Sequence, residues 1–157
     1  MRDYVIGIDV GGTRIRMGLF DSGMQLVSEQ QYLTDKDATA NELIGFLAQQ
    51  TEALVDKAGM TLEQVRGIGA AFPSSVDFKR GVTLESSNIV SLNEQPVRDM
   101  LRQRLQVPVY VDNDGNVAAL AEHKYGAGRG YDHMIYATLA TGIGGGLILN
   151  GQLYQIG

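Results

Sequence analysis

The sequence predicts an α/β fold built on a mixed sheet. Three observations point there. Short apolar runs of strand length open the chain, stripes at helical spacing follow them, and further strand-like runs alternate with those stripes. Most of the 20 glycines fall in the loops between these elements, where a backbone must turn tightly or approach a ligand closely.

Residues 4–8, Tyr4-Val5-Ile6-Gly7-Ile8, read as a buried strand that opens into Asp9 and the glycines Gly11 and Gly12. From Arg14 to Phe20 the pattern alternates, with Ile15, Met17 and Leu19 on one face. Asp21-Ser22-Gly23 supplies turn chemistry, and residues 25–33 form a third strand, completing an antiparallel meander. Thr39 and Glu42 make a capping box for a helix whose stripe runs through Leu43, Leu47, Leu54 and Ala58, with Gly59 as its left-handed stop. Residues 65–72 are the next strand. Residues 73–93 are polar and loop-rich, with a small hairpin around Arg80-Gly81. Pro96 is placed at a first helical position ahead of Val97, Leu101 and Leu105, and Val109-Tyr110-Val111 is a short strand. Arg98, Arg102 and Arg104 are expected on the solvated face of that helix.

The cluster Asp112-Asn113-Asp114-Gly115-Asn116 leads into a further helix that ends near Tyr125. Residues 126–130, rich in glycine, read as an interdomain linker. Residues 133–139 form a strand, Thr141 to Gly146 a glycine run, and Asn150-Gly151 the type I′ turn of a final hairpin. The expected organisation is therefore a first domain over 1–125, a hinge over 126–130, and the first strands of an incomplete second domain over 131–157.

Composition narrows the function classes. Net charge is −5 and the sequence pI about 4.9, which speaks against a nucleic-acid or anionic-membrane surface. There are no cysteines, so the chain has no disulfide framework or thiolate metal site. No basic, apolar leader and no apolar run of membrane-spanning length occur, so a cytoplasmic location is expected. His123 and His133 have no partner at metal-ligand spacing.

Three segments have chemical potential. Asp9-Val10-Gly11-Gly12-Thr13 lies between two strands: backbone amides and the Thr13 hydroxyl can donate to phosphate oxygens, and Asp9 can hold a hydrated Mg²⁺. An ordinary hairpin explains the glycines equally well. Thr141-Gly142-Ile143-Gly144-Gly145-Gly146 offers a second phosphate cradle, or simply a glycine-rich hairpin. Neither is a G-x-x-x-x-G-K-[ST] loop. Asn113-Asp114, at the end of a strand, can bind one substrate hydroxyl and accept the proton of another, or can cap the following helix.

Taken in order, the segments Ile8-Asp9-Val10-Gly11-Gly12-Thr13-Arg14-Ile15, the run from Asp112 to Glu122 followed by Tyr125-Gly126-Ala127-Gly128, and Ala140 to Gly146 resemble the ROK family of sugar kinases and sugar-responsive repressors. The resemblance covers essentially the whole chain. It implies an actin-like ATPase fold: one ribonuclease-H-like lobe and the start of a second. It further implies ATP-dependent transfer of the γ-phosphate to a hexose or hexosamine hydroxyl, the 6-OH by preference, in a homodimer whose partners are a small sugar and ATP with Mg²⁺. Asp114 then looks like the general base and Asn113 like a sugar ligand. Ser74 and Ser87 fall where family members touch the sugar. Gly11, Gly12, Thr13, Thr141 and Gly142 would contact phosphates, and Asp9 would hold Mg²⁺ through water.

The family pattern differs at three places. It has Lys where Arg14 stands, Gly where Ala140 stands, and a Pro-Gly loop where this chain has Ala71-Phe72-Pro73-Ser74, a Phe-Pro that resembles the allose-kinase branch. It also continues into a Gly-Glu-Ile-Gly-His segment, a cysteine-rich zinc site and an adenosine pocket. None of these lies within these residues, so the chain by itself is expected to be inactive and to hold no zinc. Two other readings stand beside the kinase: a transcriptional regulator of the same family, and a non-catalytic sugar-binding module.

Overall fold

The structure is a computed structural model that describes residues 3–139 and 143–155. The chain divides into two compact units, 1–112 and 113–157.

The first unit is a five-stranded mixed sheet. Strand β1 (Tyr4–Val10) pairs antiparallel with β2 (Arg14–Phe20), and β2 pairs antiparallel with β3 (Leu26–Leu33), as the alternating pattern predicts. Strand β4 (Val65–Phe72) pairs parallel with β1 on its other side, and β7 (Val109–Asn113) completes the order β3-β2-β1-β4-β7. The parallel pairing follows from the helix between β1–β3 and β4, because parallel neighbours need a long crossover. Between β4 and β7 lies a small antiparallel hairpin, β5 (Ser75–Asp77) with β6 (Val82–Glu85), which turns at Gly81 with φ of 72°.

Two helices supply the apolar cover. Helix α1 (Ala40–Lys57) begins with a capping box: the Glu42 amide donates to Thr39 Oγ, and Glu42 Oε2 accepts from the Thr39 amide at 2.8 Å. The Thr39 hydroxyl also donates to Glu42 Oε2 at 2.7 Å, and this bond, with that from the Thr39 amide, holds the Glu42 carboxyl below the usual carboxylate range. The helix stops at Gly59, where φ is 71°. The Gly59 amide donates to Asp56 O and the Met60 amide to Val55 O, a Schellman pair that satisfies the last carbonyls. Helix α2 (Val97–Leu105) starts one residue later than expected, with Pro96 at the cap position. Ile6, Ile8, Ile15, Leu19, Ile44, Leu47, Leu54, Ile68, Phe72 and Leu101 are almost entirely buried between sheet and helices. Arg98 departs from the expected solvated face. Its guanidinium donates to Lys79 O at 2.9 Å and Arg80 O at 2.7 Å, clamping the β5–β6 turn.

The second unit contains α3 (Asp114–Tyr125) packed on an antiparallel sheet of β8 (Met134–Leu139), β9 (Ile143–Leu149) and β10 (Gln152–Tyr154), in the order β10-β9-β8. Asn150 and Gly151 have φ of 52° and 72°, the type I′ turn that Asn-Gly predicts. Residues 126–130, the expected linker, form a hydrogen-bonded turn. The Gly126 and Gly128 amides both donate to Glu122 O, the Ala127 amide donates to Glu122 Oε2, and Gly128 is buried. The division between units falls ahead of α3 because that helix packs on β8 and β9. Glycine content signals flexibility only where the amides lack partners, and here they have them.

Candidate active site

The turn between β1 and β2 is held from within. The Gly11 amide donates to Arg14 O at 2.9 Å, which closes the hairpin, and a Cβ on Gly11 would lie 2.8 Å from that same oxygen. Thr34, just beyond β3, donates from its hydroxyl to Gly11 O at 2.7 Å and from its amide to Thr13 O at 3.0 Å. The Gly11 and Thr13 carbonyls are thereby occupied, and the Gly12 and Thr13 amides take no part in this bonding. Asp9 stands exposed near the end of β1, opposite Arg16 of β2. A turn with two carbonyls occupied and two amides uncommitted, beside a carboxylate, suits an anion with a hydrated cation. A single carboxylate fits a Mg²⁺ bound mostly by water and phosphate. Among the described residues no group of three or more His, Asp or Glu forms a metal cage.

The loops after β4 and β6 are stitched together by buried hydroxyls. Ser86 is 2% exposed; its hydroxyl donates to Pro73 O at 2.8 Å and accepts from the Ile89 amide at 3.2 Å. Ser74 is also buried, and its Oγ lies 2.9 Å from the carbonyl oxygens of both Ser75 and Glu85. Ser87, the chain neighbour of Ser86, is exposed. Of the two serines expected at a sugar, Ser87 presents its side chain to solvent and Ser74 ties two loops together. The structure also brings the second loop to the first turn. A Cβ on Gly12 would lie 3.2 Å from Asn88 Cβ and 3.3 Å from its Cγ. Neither Asn88, Ser86 nor Thr34 carried a sequence signal, since each acts through a partner distant in the chain.

In the second unit the polar cluster separates into two roles. Asn113 is the N-cap of α3, its Oδ1 accepting from the Gly115 amide at 2.9 Å and the Asn116 amide at 3.4 Å. Asp114 is the first helical residue. Its carboxylate is exposed and accepts from the adjacent Gly115 amide at 2.8 Å. Capping therefore falls to Asn113, and Asp114 keeps a carboxylate that faces solvent beside a helix N-terminus. The glycine run is partly explained by packing. A Cβ on Gly115 would lie 2.7 Å from Gly145 O, and one on Gly146 would lie 2.6 Å from Ala119 Cβ, so α3 seats directly on β9. Thr141 and Gly142 lie outside the described residues.

The sequence pattern of the ROK family matches residues 5–156. The chain belongs to the ROK family. Curated relatives include a glucokinase of Halalkalibacterium halodurans, 31% identical over 96% of this chain and 45% of that protein. Another is an N-acetyl-D-glucosamine kinase of Escherichia coli O139:H28, 36% identical over 93% and 46%. A xylose repressor of Caldicellulosiruptor bescii is 28% identical over 96% and 38%. Among solved structures, a ROK hexokinase from Thermus thermophilus superposes with a TM-score of 0.83 at 38% identity, covering 96% of this chain and 48% of that one. A ROK family glucokinase from Streptomyces griseus, in complex with glucose and AMPPNP, gives 0.82 at 35% identity, with 96% and 46% covered. This ROK chain thus has the actin-like ATPase fold of its structural neighbours, and it spans about half the length of the curated relatives it matches.

Proposed function

We propose that this ROK chain forms part of an ATP-dependent sugar kinase that transfers the γ-phosphate of ATP to a hexose or hexosamine hydroxyl, the 6-OH by preference. The observation that carries the reading is the division of labour at the start of α3: Asn113 caps the helix, which leaves Asp114 a solvent-facing carboxylate on a sugar-kinase framework. In this reading Asp114 accepts the proton of the attacking hydroxyl. The sugar oxygen bonds to the γ-phosphorus, the bond to the β–γ bridging oxygen breaks, and ADP leaves with that electron pair. Asn113 and Ser87 bind sugar hydroxyls, while Ser74 acts by holding the loop that presents Ser87.

The Gly12 and Thr13 amides, together with Thr141 and Gly142, receive phosphate oxygens. Asp9 would hold Mg²⁺ through water, and that ion supplies charge neutralisation for the phosphates. The dependence on ATP assigns the protein to the cytoplasm. The glucokinase and N-acetylglucosamine kinase relatives support the substrate class.

A sugar-responsive regulator is the second reading, favoured by the xylose repressor among the relatives. The test is a coupled ATP-turnover assay, with a panel of hexoses and hexosamines, on the protein as its gene encodes it. Saturable, sugar-dependent ADP release supports the kinase. Sugar binding by calorimetry without any turnover would favour the regulator.

A further inference from the structure

The contact between Gly12 and Asn88 is the feature that the packing of the first unit leaves unexplained. Asn88 is exposed, and its carboxamide makes no hydrogen bond among the described residues, so it neither caps an element nor braces the loop. The loop around it is nevertheless rigidly anchored. Ile89 is fully buried, its amide donates to Ser86 Oγ, the Ser86 amide donates to Asn93 Oδ1 at 2.7 Å, and Ser86 Oγ reaches Pro73 O. A fixed backbone thus lays an uncommitted carboxamide against Gly12, where an added Cβ would crowd Asn88 Cβ at 3.2 Å. The neighbouring Gly12 and Thr13 amides are likewise uncommitted. Asn88 Oδ1 is 3.7 Å from where a Cβ on Gly12 would stand, and a flip of the carboxamide, which breaks no hydrogen bond, turns Nδ2 to the bend that holds the Gly12 and Thr13 amides.

We infer that Asn88 is a phosphate-binding residue, its Nδ2 donating to an oxygen of the terminal phosphate of a nucleoside triphosphate held at the Gly12-Thr13 turn. The inference rests on the kinase reading and extends it to a residue outside the glycine turns. Carboxamide chemistry suits this role, because it donates to an anionic oxygen without adding a charge that would hold the product back. Glycine at position 12 is then needed for a reason beyond turn geometry. It lets the carboxamide approach the backbone amides closely enough to share one ligand.

The experiment compares Asn88→Ala and Asn88→Asp with the parent, in the protein as its gene encodes it. Calorimetry measures affinity for AMPPNP and for ADP, and thermal unfolding is followed in parallel. A hydrogen bond to a charged group predicts that Asn88→Ala weakens AMPPNP binding by roughly 10- to 150-fold while ADP binding changes by less than about threefold. Asn88→Asp, which sets a carboxylate against the phosphate, weakens AMPPNP at least as much, and neither variant lowers the unfolding midpoint. Equal losses for both nucleotides, no loss for either, or a fallen midpoint with unchanged affinities would each overturn the inference while leaving the kinase reading intact. A parent protein that binds neither nucleotide would remove the kinase reading, and the assignment of Asn88 with it.

Discussion

At the scale of single residues, the decisive distinction lies between Asn113 and Asp114. From sequence alone Asp112, Asn113 and Asp114 are equivalent, since Asn and Asp cap helices about equally well. Only the backbone geometry, which puts Asn113 at the cap with its Oδ1 on two amides, separates them. Asn113→Ala should therefore destabilise the protein by about 0.5–2 kcal/mol in denaturant unfolding. Asp114→Ala should cost clearly less, because its remaining interaction is with the adjacent amide and a helix N-terminus at the surface. Equal losses would mean that the cap is shared. The two glycines of the first turn were legible as glycines that matter, but not why. Gly11 is required by the Arg14 carbonyl three residues on, a hairpin contact, whereas the crowding of Gly12 by Asn88 comes from a loop that no local pattern records.

At the scale of elements, the sequence was most readable where the interactions are local. The capping box of α1, its Gly59 stop, the β1–β3 meander and the Asn-Gly turn all depend on neighbours a few residues apart. Arg98 shows the opposite case. Helical spacing puts it on the polar face of α2, and nothing in that spacing reveals that the β5–β6 turn is laid across this face. Its guanidinium is a planar fork that serves two turn carbonyls at once, a geometry that an ammonium cannot copy. Arg98→Ala should lower stability by about 1–2 kcal/mol, and Arg98→Lys should recover less than half of that. Full recovery by Lys would show that only the charge or the aliphatic stem matters. The same logic applies to residues 126–130, whose glycines do not reveal the bonds to Glu122 that shape the turn there.

At the scale of the whole chain, the two units differ in how well they are covered. In the first, α1 and α2 bury β1, β2, β4 and β7 into a continuous core. In the second, α3 covers one face of a three-stranded sheet, and Ile135, Leu139 and Ile143 are 78%, 79% and 85% exposed on the other. Small sheets with an open apolar face are marginal in water. Amides of β8–β10 in the 157-residue chain should therefore exchange with solvent faster than those of β1 and β2, by hydrogen-exchange mass spectrometry. Equal protection would contradict this assignment of where stability resides. The mixed sheet was predictable because apolar runs and helix stripes alternate along the chain. The packing of α3 on β8 and β9 was not, because it depends on residues distant in the chain.

The central claim, that Asp114 is the general base of a sugar kinase, is tested most directly by Asp114→Asn in the protein as its gene encodes it. The substitution keeps size and hydrogen-bonding shape and removes the proton acceptor. A general base at this position means that kcat falls by about 10²–10⁴-fold, with sugar affinity and unfolding midpoint little changed. An Asn variant that retains most of its turnover would contradict it.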